Sequence, residues 1–121
     1  MALLIPFLLF VCLNPDQGEC VLSTTDNGSN ILGSYRGELL HGTADGRGEA
    51  VWKNQRRMLV GRYTGQFKDG QMHGQGTFQW ANGVKYDGEW CEDKAHGIGV
   101  QTRADGSIIH SGSWVNDEPA Y

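Results

Sequence analysis

The sequence predicts an all-β protein of short strands joined by tight turns. Three observations indicate this class: a block of residues returns after 23 positions, apolar and polar side chains alternate with a period of two, and 18 of the 121 residues are glycine. Collagen is excluded, because its glycines would occupy every third position and much more proline than the 3 residues present would accompany them. A chain of this length has room for one small domain.

The strand pattern is clearest in residues 76–80 and 84–90. In both segments aromatic, aliphatic or glycine positions alternate with polar or charged ones, so one face of each strand is aromatic and the other is hydrophilic. The dipeptides Asn82-Gly83 and Asp105-Gly106 supply the positive φ angles that a two-residue hairpin turn requires. The sequence therefore predicts hairpins that turn at these two dipeptides.

The repeat can be followed through three full copies and one partial copy. The predicted boundaries of the copies and of the tail that follows them are residues 35–52, 63–85, 86–109, 110–117 and 118–121. An insertion of five residues within positions 53–62 delays the second copy, and His110 stands one residue late where the other copies have tyrosine. Gln101 and Arg103 replace aromatic residues of the preceding copy, a polar substitution that suits an array near its end.

These copies resemble the MORN repeat, whose pattern is roughly Tyr-x-Gly-x-Trp, then Gly-x-Gly, then an Asp-Gly or Asn-Gly turn. The resemblance covers about residues 35–117. The residues that carry it are Tyr35, Gly37, Gly46, Gly48, Tyr63, Gly65, Phe67, Gly74, Gly76, Gly83, Tyr86, Gly88, Trp90, Gly97, Gly99, Gly106, Gly112 and Trp114. The resemblance implies successive β-hairpins joined into one elongated, twisted, single-layer antiparallel sheet, with the hydrophobic N-terminal segment outside it.

The glycines within strands need a separate explanation, because glycine weakens a strand. We infer that Gly65, Gly88 and Gly112 make room for aromatic rings from the neighbouring strand. A β-carbon at these positions would then clash with a ring.

Residues 1–20 are predicted to form a hydrophobic leader. Residues 2–13 are too few to cross a bilayer as a helix, which needs about 20 residues, but they match the apolar core of a signal peptide in length. The leader begins without Lys or Arg and Gly18-Glu19-Cys20 is a poor cleavage site, so a membrane anchor or a tail that packs elsewhere stays open. Residues 21–34 are predicted to be a polar linker, in which Asn27-Gly28-Ser29 is a glycosylation acceptor only if the chain is secreted.

A locally basic set lies in the insertion that interrupts the repeat. Lys53, Arg56 and Arg57, with Arg62 nearby, are the candidate residues for binding an anionic partner. A basic loop gains about 1 kcal/mol per Lys or Arg near an anionic membrane surface. The alternative is a solvated loop with a short extra strand.

No catalytic residue, metal ligand or cofactor is predicted. His73 and His96 share a repeat column, but one repeat step separates their backbones by about 10 Å, so the pattern favours turn residues over a zinc site. Asp105, His110 and Ser111 have the residue types of a catalytic triad, yet no nucleophile elbow or oxyanion loop accompanies them.

Charge and cysteine content exclude two further classes. The formal net charge of -4 argues against broad nucleic-acid binding, which requires Lys and Arg to neutralise phosphates. The three cysteines, Cys12, Cys20 and Cys91, are odd in number and irregular in spacing, so they do not form a disulfide framework.

The resemblance implies a non-catalytic interaction or scaffold module that binds a protein partner or a membrane surface. Such arrays occur in junctional membrane proteins, radial spoke proteins and cytoskeletal scaffolds, which favours a cytoplasmic, cytoskeletal or membrane-peripheral location. Two alternatives stay open: a regulatory segment of a larger lipid kinase or methyltransferase, and a secreted or surface repeat protein. We expect the aromatic rings mainly to pack together and to leave a strip for a partner helix, and an open sheet edge favours a homodimer.

Overall fold

The computed structural model describes residues 10–14, 19–26 and 29–121, with side chains from residue 33 onward. Within these residues ten strands form one antiparallel sheet, and each strand pairs with its neighbours in the chain. The strands are β1 (Phe10–Asn14), β2 (Glu19–Asp26), β3 (Ser29–Leu40), β4 (Thr43–Lys53), β5 (Leu59–Lys68), β6 (Gln71–Trp80), β7 (Lys85–Cys91), β8 (Lys94–Thr102), β9 (Ile108–Val115) and β10 (Glu118–Pro119). The predicted single sheet of successive hairpins is confirmed.

The sheet begins earlier in the chain than the repeat does. Strand β1 pairs with β2, and β2 pairs with β3. Most of the predicted linker at 21–34 therefore lies in strands, because it contains the aliphatic and β-branched residues that fit a pleated sheet, as in Val21-Leu22-Ser23-Thr24-Thr25. Residues 1–9, which hold most of the predicted leader, and the first two residues of the acceptor triplet at 27–29 lie outside the described residues.

The hairpin turns alternate between the two edges of the sheet and differ in type. At one edge, which we call the turn edge, two-residue turns have positive φ at both positions, as in Asp69 (52°) and Gly70 (80°), which is the type I′ geometry that matches strand twist. The same geometry occurs at His41-Gly42, Glu92-Asp93 and Asn116-Asp117. These are the tight turns of the array.

The predicted tight turns at Asn82-Gly83 and Asp105-Gly106 are wrong, since both dipeptides lie at the opposite edge, which we call the loop edge. There the N–H of Trp80 donates to the carbonyl oxygen of Val84 (2.8 Å) and the N–H of Gly83 donates to that of Trp80 (2.9 Å). Only the last of the three loop residues has positive φ, 90° at Gly83 and again at Gly106. This is the three-residue loop in which one glycine closes a type I turn.

The five-residue insertion lengthens two strands and keeps the same kind of loop. The N–H of Asn54 donates to the carbonyl oxygen of Met58 (2.9 Å), and the N–H of Arg57 donates to that of Asn54 (2.9 Å). The loop thus starts two residues beyond Trp52, whereas the loop of the next copy starts at the equivalent Trp80. We call residues 53–59, at the end of this longer hairpin, the arm.

A row of glycines crosses the sheet at right angles to the strands. The glycines stand directly opposite one another from β3 to β9, in the order Gly37, Gly48, Gly65, Gly76, Gly88, Gly99 and Gly112. The ring of Tyr63 lies over Gly76, and an added β-carbon there would overlap the ring. Tyr35 covers Gly48 and Tyr86 covers Gly99 in the same way.

The ring-covered glycines are therefore not the ones that we predicted. A β-carbon at Gly65 or Gly88 would overlap the α-carbon of the opposite glycine in the next strand, and it would lie 2.6 Å from the carbonyl oxygen of Gln75 or 2.5 Å from that of Ile98. At Gly112 the nearest atom is Nε2 of His110, at 3.7 Å, which is ordinary contact. The side chain of each tyrosine points across its hairpin, so it covers the glycine of the second strand.

The aromatic face is the core of the protein. Tyr63 meets Phe67 and Trp90 edge to face, with ring centroids 5.0 Å and 5.4 Å apart, and Trp52 stacks on Phe78 at 5.2 Å. Each buried tyrosine donates its hydroxyl to the carbonyl oxygen three residues ahead, 2.7 Å away in the case of Tyr63. Nε1 of Trp52 is buried without a hydrogen-bond partner, so this face stabilises the fold through the burial of its rings and the satisfied tyrosine hydroxyls.

The last copy departs from this pattern. Gln101 is buried in a ring position, and its Oε1 has no hydrogen-bond partner. His110 takes the tyrosine position and keeps its bond, with Nε2 3.1 Å from the carbonyl oxygen of Ser113. The array therefore ends with a less apolar core.

Candidate anionic-partner interface

The loop edge carries most of the basic residues that do not lie on the flat faces of the sheet. Its described basic residues are Lys53, Arg56, Arg57, Lys85 and Arg103, and its acidic residues are Asp26 and Asp105. The loop edge is therefore positive although the chain as a whole has a formal charge of -4.

The arm presents its cations on a defined backbone. The side-chain oxygen Oδ1 of Asn54 accepts hydrogen bonds from the N–H groups of Arg56 (2.9 Å) and Met58 (3.1 Å), which closes a local turn. Arg56 and Arg57 are exposed, and the exposed fractions of Met58 and Leu59 are 61% and 40%. Cationic and apolar side chains thus lie side by side at the end of the hairpin.

Arg57 occupies a backbone conformation that disfavours a side chain. Its φ is 61°, at the loop position that Gly83 and Gly106 fill in the next two copies. A non-glycine residue in the left-handed region costs roughly 1 kcal/mol, and such strain is concentrated at functional sites.

Arg62, the fourth residue of the predicted basic set, does not join the other three. It lies within β5 on the face opposite the aromatic core, where its Nε is 3.8 Å from Oε1 of Glu49. This exposed ion pair partly neutralises its charge, so the structure brings together Lys53, Arg56 and Arg57 only.

Lys85 and Arg103 belong to the loop edge and were missed by the sequence analysis. They follow or begin the loops of the second and third copies, so they lie far from the arm in the chain but along the same edge of the sheet. Successive hairpins step by about 10 Å, which sets these cations in a line. The signal that would have found them is that each lies within three residues of a loop glycine, Gly83 or Gly106.

The turn edge has the opposite charge. Among the described residues, the acidic ones in and beside its turns include Asp45, Asp69, Glu92, Asp93, Asp117 and Glu118, and the basic ones include Lys68 and Lys94. The two long edges of the sheet therefore differ in sign.

Hydrogen bonds between successive turns hold the turn edge together. The N–H of Asp93 donates to the carbonyl oxygen of Met72 (3.1 Å), and Oδ1 of Asp93 accepts from the N–H of Met72 (2.8 Å). Asp117 and Ala95 form the same pair one repeat later. Burial raises the pKa of Asp93 to about 6, the bond from Met72 opposes that rise, and the charge of Asp117 adds to it. Burial also raises the pKa of Asp117.

The other residues considered for chemistry have structural partners. His73 and His96 lie in β6 and β8, so the expectation that they are turn residues is wrong. Oδ1 of Asp105 accepts the N–H of Ser107 (2.8 Å), so Asp105 is engaged within its own loop. Among the described residues no group of three or more His, Cys, Asp or Glu side chains is placed to hold a metal ion. The described part of the chain also has no helix long and apolar enough to span a bilayer.

The aromatic face does not provide the expected strip for a partner helix. Of the rings that we assigned to it, Trp80 alone is partly exposed, and the others are buried against one another. The buried rings are Tyr35, Tyr63, Phe67, Tyr86, Trp90 and Trp114. The loop edge is thus the better candidate for an interaction surface.

Comparison with known protein families places the repeats on the same hairpins. A family model described as the MORN repeat matches residues 35–55, 63–85 and 86–108, which is more than half of the chain. No curated protein matches the chain.

Proposed function

This chain belongs to the MORN repeat family, and from that membership we propose that it is a non-catalytic interaction module that docks onto an anionic partner through its loop edge. MORN repeats are commonly interaction modules for proteins or membranes. The observation that carries the proposal is the line of cations on the loop edge of a chain whose formal charge is -4.

The rigidity of the sheet supports this assignment. The loops lie on hairpins whose rings are buried in one core, so the spacing of the cations is set by the backbone. A fixed array loses less conformational entropy on binding than a flexible basic tail would lose. The strained Arg57 also supports it, because a glycine would fit the loop better and would remove the charge.

Retention on a sulfonate cation-exchange resin at pH 8 and low salt tests the proposal. At that pH the chain carries a net negative charge, so it is retained only if its cations form a local patch. We expect the parent to bind and to elute with salt, and the variant Arg56→Glu/Arg57→Glu to pass through the column.

The matched control is Arg47→Glu/Arg62→Glu, which changes the net charge equally but alters the face of the sheet. We expect this variant to be retained like the parent. Equal loss of retention in the two variants would show that net charge, and not the loop edge, governs binding.

A further inference from the structure

Two strands near the end of the array present apolar side chains on the face of the sheet opposite the aromatic core, which we call the outer face. In β8, Gly99 belongs to the aromatic face, so Ile98 and Val100 on either side of it point to the outer face. The exposed fraction of Ile98 is 61%, and Val100 is partly exposed. Val115 of β9 also lies on the outer face, since its neighbour Trp114 is buried in the core, and its exposed fraction is 49%. We call Ile98, Val100 and Val115 the outer patch.

The apolar side chains of β8 replace polar ones of the preceding copy. Gln75 and Thr77 of β6 stand 23 residues earlier, at the positions of Ile98 and Val100. The two strands place the same glycine column beneath tyrosine rings, so the fold forms with either set of outer residues. Exposed apolar side chains that the fold does not require indicate a contact with a partner.

Strand β9 leaves space beside these apolar side chains. Ser111 pairs with Val100, and Ser113 pairs with Ile98. Directly paired residues share a face, and both serines are exposed and short. The outer patch is therefore open to the side chains of a partner on its β9 side.

Carboxylates border the outer patch. Asp87 of β7 pairs with Val100, and Oε2 of Glu89 accepts a hydrogen bond from the N–H of Ile98 at 2.7 Å. The third apolar residue of the outer patch pairs with Glu118 of β10. Each apolar side chain thus has a carboxylate beside it. An apolar centre with a negative border is complementary to an apolar segment with a border of Lys or Arg.

Two lysines share the outer face of this hairpin but stand at the ends of its strands. Lys85 pairs with Thr102 near the loop edge, and Lys94 pairs with Cys91 near the turn edge. The charges that β7 places between these ends, beside the outer patch, are negative. The border of the outer patch therefore favours a cationic partner.

The backbone of β8 is already engaged, because β7 pairs with it on one side and β9 on the other. A partner strand cannot join here through backbone hydrogen bonds, so a segment that lies on this face must satisfy its own backbone groups. An α-helix does so internally. Ile98 and Val100 stand about 7 Å apart along the strand, close to the rise of about 6 Å between residues i and i+4 of a helix.

We propose that the outer patch is the docking site for an amphipathic helix of a partner protein, with Lys or Arg along the border of the apolar stripe of that helix. The stripe covers Ile98, Val100 and Val115, and the cations of the helix face Asp87 and Glu89. This surface is separate from the loop edge and does not depend on it. One chain can therefore hold a cationic helix and an anionic partner at the same time.

Binding of two synthetic helical peptides of about 18 residues tests the proposal. Both peptides have the same leucine stripe at positions i, i+3, i+4 and i+7, and the border of the stripe carries lysine in one and glutamate in the other. We expect the full chain to bind the lysine peptide at least about tenfold more tightly at low salt, because the carboxylates attract one peptide and repel the other. Fluorescence anisotropy of the labelled peptides measures both affinities.

The variant Ile98→Gln/Val100→Thr removes the apolar centre. It introduces the residues that stand at these positions in the second copy, so the sheet is kept. We expect the lysine peptide to bind at least about tenfold more weakly, because two apolar side chains are no longer buried. The matched control Met58→Gln/Leu59→Thr makes the same exchange in the arm and should leave the affinity within about twofold.

The variant Asp87→Asn/Glu89→Gln removes the negative border. Gln66 holds the position of Glu89 in the preceding hairpin and accepts the N–H of Gln75 at 2.9 Å, so glutamine keeps the hydrogen bond at this position. We expect this variant to bind the lysine peptide about fivefold more weakly at low salt, and salt should then have little further effect.

Equal affinity of the parent for the two peptides, or equal losses in Ile98→Gln/Val100→Thr and its control, would overturn the proposal. Dimerisation of the parent in sedimentation velocity that Ile98→Gln/Val100→Thr abolishes would also overturn it, because a second copy would then cover the outer patch. Retention of this variant on the sulfonate resin should equal that of the parent. A failure at the outer patch is therefore distinct from a failure of the loop edge.

Discussion

At the scale of single residues, the fold depends on bare α-carbons beneath tyrosine rings. The ring of Tyr63 covers Gly76, and its hydroxyl donates to the carbonyl oxygen of Gln66 at 2.7 Å. That bond fixes the ring in place, so it cannot swing aside to admit a β-carbon. The same geometry recurs in three hairpins, so this contact explains why glycine is required at Gly48, Gly76 and Gly99.

Gly76→Ala is therefore expected to lower the free energy of unfolding by at least about 2 kcal/mol, because it overpacks a buried ring. Gly106→Ala is the control, since a β-carbon there meets nothing within 4 Å and the cost is only that of φ at 90°, roughly 1 kcal/mol. Urea unfolding followed by tryptophan fluorescence measures both. A smaller loss for Gly76→Ala than for Gly106→Ala would contradict the packing account.

The backbone conformation of Arg57 lowers the stability of the fold. Arg57→Gly should raise the free energy of unfolding by roughly 1 kcal/mol, because it relieves the left-handed strain at φ 61°. The same change should lower the salt concentration at which the chain elutes from the sulfonate resin, because it removes a loop-edge cation. Unchanged elution would show that Arg57 has no part in docking, and reduced stability would show that its backbone conformation is not strained.

At the scale of elements, the two kinds of turn differ in the contacts that they make. The type I′ turns bond to the strands of the neighbouring hairpin, and in the three-residue loops side chains such as Asn54 and Asp105 accept hydrogen bonds from their own loop while Arg56 and Arg57 are exposed. The hairpins were predictable from the sequence, but the tight turns were predicted at the loop edge instead of the turn edge, because Asn-Gly and Asp-Gly suit a type I′ turn as well as the end of a three-residue loop. Glu92-Asp93 has no glycine, so dipeptide preference alone gave no signal for that turn.

Asp93 makes the stability of the turn edge depend on pH. Its pKa is about 6 in the folded chain and near 3.8 when exposed, so the folded state binds more protons between these values. The free energy of unfolding therefore falls as pH rises from about 4 to about 6, and the whole of this loss is present at pH 8.

Asp93→Asn should remove this cost, because an amide oxygen still accepts the N–H of Met72 and asparagine tolerates the φ of 67°. We expect the variant to be more stable than the parent by roughly 1 to 2 kcal/mol at pH 8 and similar to it near pH 4. Asp105→Asn is the control, because hydrogen bonds from Ser107 lower the pKa of Asp105 and its effect has the opposite sign. Parallel pH profiles for the parent and Asp93→Asn would contradict the assignment.

At the scale of the whole molecule, the alternation of turns gives the sheet two edges of opposite charge. The repeat period, the strand alternation and the glycine columns were all predictable, because each is set by residues close together in the chain. The loop edge was only half predictable. Lys53, Arg56 and Arg57 were visible as a local cluster, but Lys85 and Arg103 join them only once the sheet aligns the loops. Arg62 was included in the predicted basic set because it is close to the other three residues in the sequence. Its position in β5 instead places it on the face of the sheet opposite the aromatic core, beside Glu49.

The central claim is that docking uses the loop edge, and an NMR titration of the labelled chain with a sulfated polymer tests it most directly. We predict that amide shifts change in the arm and in the loops at 81–84 and 103–107, in proportion to one another as the polymer is added. The amides of the tight turns at 69–70 and 92–93 should stay in place. Shifts centred on those turns, or spread evenly over the faces of the sheet, would contradict the account.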